Sequence, residues 1–407
     1  MSRAIVVTMP TPRSTEAARS AVFPVGAAAT VAELEADPHT LLARLREREP
    51  VSWLPALDGW LVTSHELALQ VMRDADTFTV DDPRFSTAQV VGPSMLSLDG
   101  SQHARHRGPF ARPFRLDAVR ERFTALVADE VDRLIAGIEP NGSAELRRSL
   151  AGPLAVASMV YALGLEETDP ADALGWYDAI VAEVTRITAG EPAGGTGARA
   201  FDELRAAVEP ALDRDPSTSL VATAADEAGG LSQGDVVSNA AVLLFGGIET
   251  TEGMIANAIR HVLQSEDVRD LVASDAGLAG NAVEESLRLE PAAAVIDRYA
   301  TRDVVLSGAA IHARELVRVS LAGANRDPEL FADPDRFDVR RPNSQRHLAF
   351  AQGPHVCLGM HLARLEAQTA LTRLLERLSG LRLDPGKPSV VHGLVFRKPE
   401  SLHVLWD

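Results

Sequence analysis

The chain has 407 residues, 46% of them hydrophobic, 24% charged and 5% aromatic, which is the composition of an ordinary globular protein long enough to enclose a large cofactor. Its net charge of -17 argues against a nucleic-acid or anionic-membrane partner. The single cysteine excludes an internal disulfide and any multi-cysteine zinc or iron–sulfur site, and no apolar run reaches membrane length without a polar interruption.

A cytoplasmic, unanchored protein is therefore expected. Lys387 and Lys398 are its only lysines, and this arginine bias points to a GC-rich bacterial genome. Residues 1–25, rich in Thr, Ser, Pro and Ala, read as a loosely ordered arm, and 26–407 as one domain. Val51–Leu54 and the run from Trp60 flank an Asp58-Gly59 turn and read as a hairpin.

The remainder of the chain is mostly helical in pattern. Apolar residues at three- and four-residue spacing predict helices over 117–138, 145–165, 171–189, 198–212, 233–264 and 359–378. The Gly-rich stretch from Gly190 to Gly197 is too short for a domain linker. Short strands are expected near Val304, over Leu316–Val319 and over Leu402–Trp406. The fold class is mainly helical α+β, with small sheets.

The helix over 233–264 would run roughly 48 Å at about 1.5 Å per residue, opening on a Ser232/Asp235 capping pair. Near its middle lies Leu243-Leu-Phe-Gly246-Gly247-Ile-Glu249-Thr250-Thr251. Each glycine costs a helix about 1 kcal/mol relative to alanine, so the pair needs a reason. Removing two side chains either opens space beside the helix or admits a close helix neighbour, and the Thr250 hydroxyl is able to divert a backbone hydrogen bond. Further on, Glu285 and Arg288 are three apart and share a helix face, as an ordinary surface ion pair also would.

Cys357 lies in Phe350-Ala-Gln-Gly-Pro-His355-Val-Cys357-Leu-Gly359, just before the last helix pattern. Glycines at 353 and 359 permit a tight turn, and a helix N-terminus favours a thiolate over a thiol. A buried structural cysteine is the plainer alternative.

The spacing Phe-x-x-Gly-x-His-x-Cys-x-Gly resembles the haem-binding loop of the cytochrome P450 family. The Gly-Gly-x-acid-Thr-Thr segment resembles that family's oxygen-binding kink, and Glu285-x-x-Arg288 its buried ion-pair motif. The resemblance runs from about residue 30 onward and implies the cytochrome P450 fold around haem b (iron protoporphyrin IX), with Cys357 as the axial thiolate ligand of iron. It implies that Phe350 and Gly359 shape the haem loop, and that Gly246 and Gly247 make room for dioxygen and substrate. Glu249 would relay protons and Thr250 would hydrogen-bond the activated oxygen. His103, Arg107, Arg298 and His355 would neutralise the haem propionates, although Arg105 and His106 compete for the first of these roles. Glu285, Arg288 and Arg336 would form the ion-pair network behind the cysteine loop.

The activity so implied is a monooxygenase. It takes electrons from NAD(P)H through a ferredoxin reductase and a ferredoxin-type partner, and uses O2 to hydroxylate or epoxidise a hydrophobic small molecule in bacterial secondary metabolism or catabolism. The protein is expected to be a monomer. The pocket would draw on Phe78 to Leu98, the Gly190 loop, Leu243, Leu244, Gly246, Gly247, Ala292 to Ile296 and Leu394 to Phe396. The six arginines between His103 and Arg122 form either a docking patch for an acidic ferredoxin or a solvated face. A peroxide-driven peroxygenase and a haem-binding sensor or carrier without turnover are the alternatives. The chain departs from the family pattern in Ala351, where Gly is frequent, and in Gly246, where Ala is commoner.

Overall fold

The computed structural model describes residues 16–188, 191–192, 194–214, 219–226 and 230–407. They gather into two compact units, each assembled from three stretches of chain: one from residues up to Val80, Glu284–Cys357 and Val391–Lys398, the other from Asp81–Val283, Leu358–Val390 and Pro399–Asp407. Among the described residues no helix is long and apolar enough to cross a membrane.

The first unit is built on a five-stranded sheet. Its strands β1 (Val51–Leu54), β2 (Gly59–Val62), β3 (Phe78–Thr79), β4 (Val295–Ala300) and β5 (Leu316–Ser320) lie in the order β1-β2-β5-β4-β3. The hairpin forms as expected, with Val51 opposite Val62, and Asp58 takes the left-handed φ of 44° at its turn. Every residue of β1 and β2 is buried, so these strands show no alternation of buried and exposed positions, and the one polar side chain among them, Ser52, donates to Glu49 at 2.6 Å. The parallel pairing of β2 with β5, Trp60 opposite Val317, joins segments more than 250 positions apart. Trp53, Trp60, Phe78 and Val317 share the core beneath this sheet.

The second half of the expected loose arm is ordered. Glu16–Val22 and Pro24–Ala27 are short helices, and residues 1–15 lie outside the described residues. Arg19 explains the anchoring. Its guanidinium stacks 4.3 Å from the Trp53 ring centroid and pairs with Glu315, whose carboxylate also accepts from Trp60 Nε1 at 2.8 Å.

The second unit is a helical assembly. Its main helices are α1 (Gly100–Ala111), α2 (Leu116–Ile138), α3 (Gly152–Leu163), α4 (Pro170–Thr188), α5 (Thr196–Val208), α6 (Gln233–Leu263) and α7 (Met360–Arg377). Helix α6 packs against α3, α4 and α7. It opens on the expected capping box, in which Ser232 Oγ accepts from Asp235 N at 3.1 Å and Asp235 Oδ2 accepts from Ser232 N at 3.0 Å.

Two helix boundaries differ from the sequence reading. The helix expected from residue 145 begins as a strand, Ser143–Glu145, passes through a π turn at Arg147–Ala151, and becomes α3 only at Gly152. Glu145 causes this, because its carboxylate accepts from Arg147 N, Arg148 N and Leu402 N and so ties the strand end to the Ser143–Glu145/His403–Leu405/Arg382–Leu383 sheet. Helix α5 yields at Glu209 to a 3₁₀ turn because Pro210 has no N–H to continue it.

Candidate functional site

The cysteine loop belongs to the first unit and is shaped by its backbone. Asn325 Oδ1 accepts from Leu348 N at 2.6 Å, Ala351 N donates back to Leu348 O at 2.8 Å, and Cys357 N donates to Phe350 O at 2.8 Å, closing the loop into a hairpin. Gly353 has φ +75°, and a Cβ there would lie 2.4 Å from Met72 O, so only glycine fits. Ala351 also has positive φ, 55°, a conformation that costs an alanine roughly 1 kcal/mol. That is the physical reason glycine suits this position. Phe350, His355, Val356 and Cys357 are each half-exposed although the unit around them is densely buried.

The ion-pair network forms in the same unit, with one change of membership. Arg288 Nε and Nη2 donate to the two Glu285 oxygens at 2.7 and 2.9 Å, and both side chains are fully buried. The third side chain is Arg341, whose Nε donates to Glu285 Oε1 at 2.8 Å. Arg336, the expected member, contributes only its backbone carbonyl, to Arg288 and Arg341 at 3.1 Å each, while its own side chain is exposed. The turn closed by Arg336 N and Asp333 O directs its carbonyl to the network. Nearby, Arg298 on β4 is 5% exposed and its Nη1 donates to Asp297 O at 2.8 Å, while Arg318 takes the Asp297 carboxylate.

In the second unit, α6 is buried at almost every position from Val236 to Leu263. Arg260 aside, the exceptions are Leu243, Gly246, Gly247 and Thr250, a stripe at three- and four-residue spacing on one face. Within it the two glycines differ. A Cβ at Gly246 would meet nothing within 4 Å, whereas one at Gly247 would lie 2.4 Å from Met159 Sδ on α3. Gly246 leaves open space and Gly247 admits a helix neighbour. Leu244, grouped with Leu243 by the sequence reading, is wholly buried.

Thr250 Oγ1 donates to Gly246 O at 2.6 Å, the diverted backbone bond that its position suggested. Glu249 is 3% exposed, and the Tyr177 hydroxyl on α4 donates to its Oε2. One turn on, Glu252 is also fully buried, with Arg147 Nε at 3.1 Å and Arg148 Nη1 at 3.7 Å. Burial, then the charge of Glu249, pushes the Tyr177 phenol well above its usual range.

His103 and Arg107 lie one turn apart on α1, the first buried and the second half-buried. Their competitors are engaged elsewhere. Arg105 donates to Gly230 O at 2.8 Å and to Asp235 at 3.3 Å, and His106 Nδ1 contacts Asn239 Nδ2 at 3.0 Å. Arg112, Arg115 and Arg120 are exposed, and Arg364 of α7 joins Arg120 in lowering the pKa of His361 after burial has done so first.

Sequence reasoning missed several groups. Glu366 on α7 is 3% exposed, and burial raises its carboxyl to about 8. Ser158 is the polar neighbour that offsets this burial, from a position where its own Oγ has no hydrogen bond. Neither Glu366 nor Tyr177 sits in a motif, so only packing reveals them. Of the expected pocket residues, Gly190 lies outside the described residues.

The comparisons with known proteins agree with one another. A sequence model of the cytochrome P450 family matches residues 199–404. Cytochrome P450 monooxygenase PikC of Streptomyces venezuelae is 34% identical over 390 residues, covering 92% of each chain. Mycinamicin IV hydroxylase/epoxidase of Micromonospora griseorubida is also 34% identical, over 89% of this chain and 94% of its own. The crystal structure of CalO2 aligns with 93% of this chain and 99% of its own at 29% identity, with a TM-score of 0.83.

Proposed function

This chain belongs to the cytochrome P450 family, and we propose that it inserts one oxygen atom of O2 into a hydrophobic small molecule of bacterial secondary metabolism, by hydroxylation or epoxidation. It is a cytochrome P450 monooxygenase with haem b as its cofactor. When bound, haem supplies the iron at which O2 is reduced and cleaved.

Two observations fit that cofactor to these residues. The cysteine loop keeps Phe350, Val356 and Cys357 half-exposed, and α6 leaves one stripe uncovered, as apolar surfaces that receive a large group do. Cys357 is the residue to hold the iron, with Phe350 and Gly359 shaping its loop. His103, Arg107, Arg298 and His355 are the cations to neutralise the propionates. The stripe carries the functional reading, because Gly246 opens space on the same face that presents the Thr250 hydroxyl.

Glu249 moves protons inward, and Thr250 turns its hydroxyl from the Gly246 carbonyl, where it rests, to the reacting oxygen, an acid and an alcohol adjacent in sequence. A peroxide-driven reaction needs no such delivery, which favours reduction by a ferredoxin and an NAD(P)H-dependent reductase. The exposed Arg112 and Arg115 offer an acidic ferredoxin a docking surface on an otherwise acidic chain. Substrates in the class of mycinamicin IV, named for the second relative, are reasonable first probes.

The test is turnover of a hydrophobic panel with NADPH, ferredoxin and reductase, set against hydrogen peroxide alone. Products heavier by one oxygen with the electron-transfer system alone are expected. Products with peroxide alone would favour the peroxygenase, and none in either assay a sensor. Cys357→Ser should lose the red-shifted Soret band of the reduced carbon monoxide complex, and charge reversal at Arg112 or Arg115 should slow reduction with the haem spectrum unchanged.

A further inference from the structure

Glu284 and Glu285 are adjacent on the helix Gly277–Leu289, both are buried, and they reach different parts of the chain. Glu285 takes the arginines of the ion-pair network. Glu284 takes a histidine that belongs to no motif. His347 is 5% exposed, its Nε2 lies 3.2 Å from Glu284 Oε2, and its Nδ1 accepts from Ala349 N at 3.1 Å. Because Nδ1 accepts, the ring proton sits on Nε2 and donates to the carboxylate, so both nitrogens are committed and the ring has one orientation.

Two contacts pass that orientation to the cysteine loop. The bond from Ala349 N fixes the backbone directly after Leu348, whose own N donates to Asn325 Oδ1, so successive amides at the entrance to the loop are each held by a side chain. The His347 ring also lies 5.7 Å from the Phe350 ring, tilted by 49°, a separation at which aromatic rings attract. Phe350 O in turn accepts from Cys357 N at 2.8 Å. A continuous path of hydrogen bonds and one ring contact therefore runs from Glu284 through His347 to Cys357, all of it within the first unit.

We propose that His347 is a positioning residue for Cys357, tying the cysteine loop to the helix that carries Glu284 so that the sulfur keeps one place. This rests on the reading of Cys357 as the iron ligand. A ligand on a loop drifts unless its backbone is fixed, and the groups that orient a ligand govern how firmly a metal keeps it. Gly353 and the bond between Cys357 N and Phe350 O give the loop its shape, and His347 anchors that shape to the unit around it.

The test uses haem-loaded wild type, His347→Ala, His347→Asn and His347→Gln, with Cys357→Ser as the control. In the reduced carbon monoxide complex the red-shifted Soret band reports the sulfur on iron, and its decay to the unshifted position is followed at fixed temperature beside far-ultraviolet circular dichroism. His347→Ala should shorten the half-life of that band about tenfold, on the scale of one hydrogen bond to a charged group, while the helical signal persists. Asparagine places an oxygen near the position of Nδ1 and keeps the bond from Ala349 N, so it should win back about threefold of that loss. Glutamine reaches toward Glu284 but offers Ala349 N no acceptor, and should resemble alanine. An undiminished half-life in His347→Ala overturns the inference, as does a band that decays only in step with the helical signal, or an asparagine variant that decays as fast as the glutamine one. If Cys357→Ser keeps the red-shifted band, the reading of Cys357 fails and the inference falls with it. Should His347→Ala not retain haem, the asparagine and glutamine variants decide by the same comparison.

Discussion

Replacing Glu366 with glutamine should stabilise the protein by an amount that grows with pH. The folded carboxyl titrates at about 8 against an ordinary 4.5, because burial on α7 disfavours its charge. Its folded pKa is raised, so stability is greatest below the unfolded pKa and is lost as pH rises toward 8. At about 1.4 kcal/mol per pH unit the full loss is about 5 kcal/mol, of which about 3 kcal/mol falls between pH 5 and pH 7.5. Glutamine has the same shape and does not titrate, so the variant should keep what the wild type loses. With an unfolding entropy near 2.1 cal/mol/K per residue, 3 kcal/mol is about 3 to 4 °C in Tm for a chain of 407 residues. Thermal unfolding of both holoproteins at half-unit steps of pH reads this directly. A Tm difference that stays level, within about 1 °C across that range, would refute the assignment of a neutral buried acid.

The two helix glycines should separate in the same assay. Gly246→Ala adds a methyl to open space and gains up to about 1 kcal/mol of helix propensity, while Gly247→Ala forces Met159 aside and should be less stable than Gly246→Ala by about 1–3 kcal/mol. In the ion-pair network, Arg341→Ala leaves Glu285 short of a buried partner and should cost about 3–5 kcal/mol, measured by denaturant unfolding, whereas Arg336→Ala should stay within about 0.5 kcal/mol because only its carbonyl is used. Glu290 is the opposite case to Glu366. Burial alone would raise it, but His39 and Arg397 overcome this and hold it down at about 2, so its stabilisation of about 3 kcal/mol is present above pH 4.5 and is lost as pH falls through 2. Glu290→Gln should therefore unfold with a shallower acid dependence than wild type, followed by circular dichroism.

Much of this protein is legible in one dimension. The long helices carry their period in the sequence, and the start of α6 is written in Ser232 and Asp235 because a capping box uses only neighbours. The cysteine loop is local in its own closure, Cys357 N to Phe350 O, but the need for glycine at 353 comes from Met72 and its anchoring from Asn325, both distant in sequence. The β2–β5 pairing is not local at all, since a parallel ladder between Trp60 and Val317 leaves no short-range signal.

What tertiary structure alone decided is which of several equivalent residues meets which neighbour. Two glycines on one helix look alike until Met159 packs on one of them, and two arginines after Arg288 look alike until the turn at Asp333 exposes Arg336 and Arg341 reaches Glu285. Tyr177 and Glu366 belong to no motif, because their chemistry comes from burial beside groups distant in sequence, 72 positions away for Tyr177 and Glu249. Covalent neighbours and periodicity are properties of the chain, and so its helices and its motifs were readable from it. Burial and long-range partners are properties of packing, and they set the charge and position of each acid.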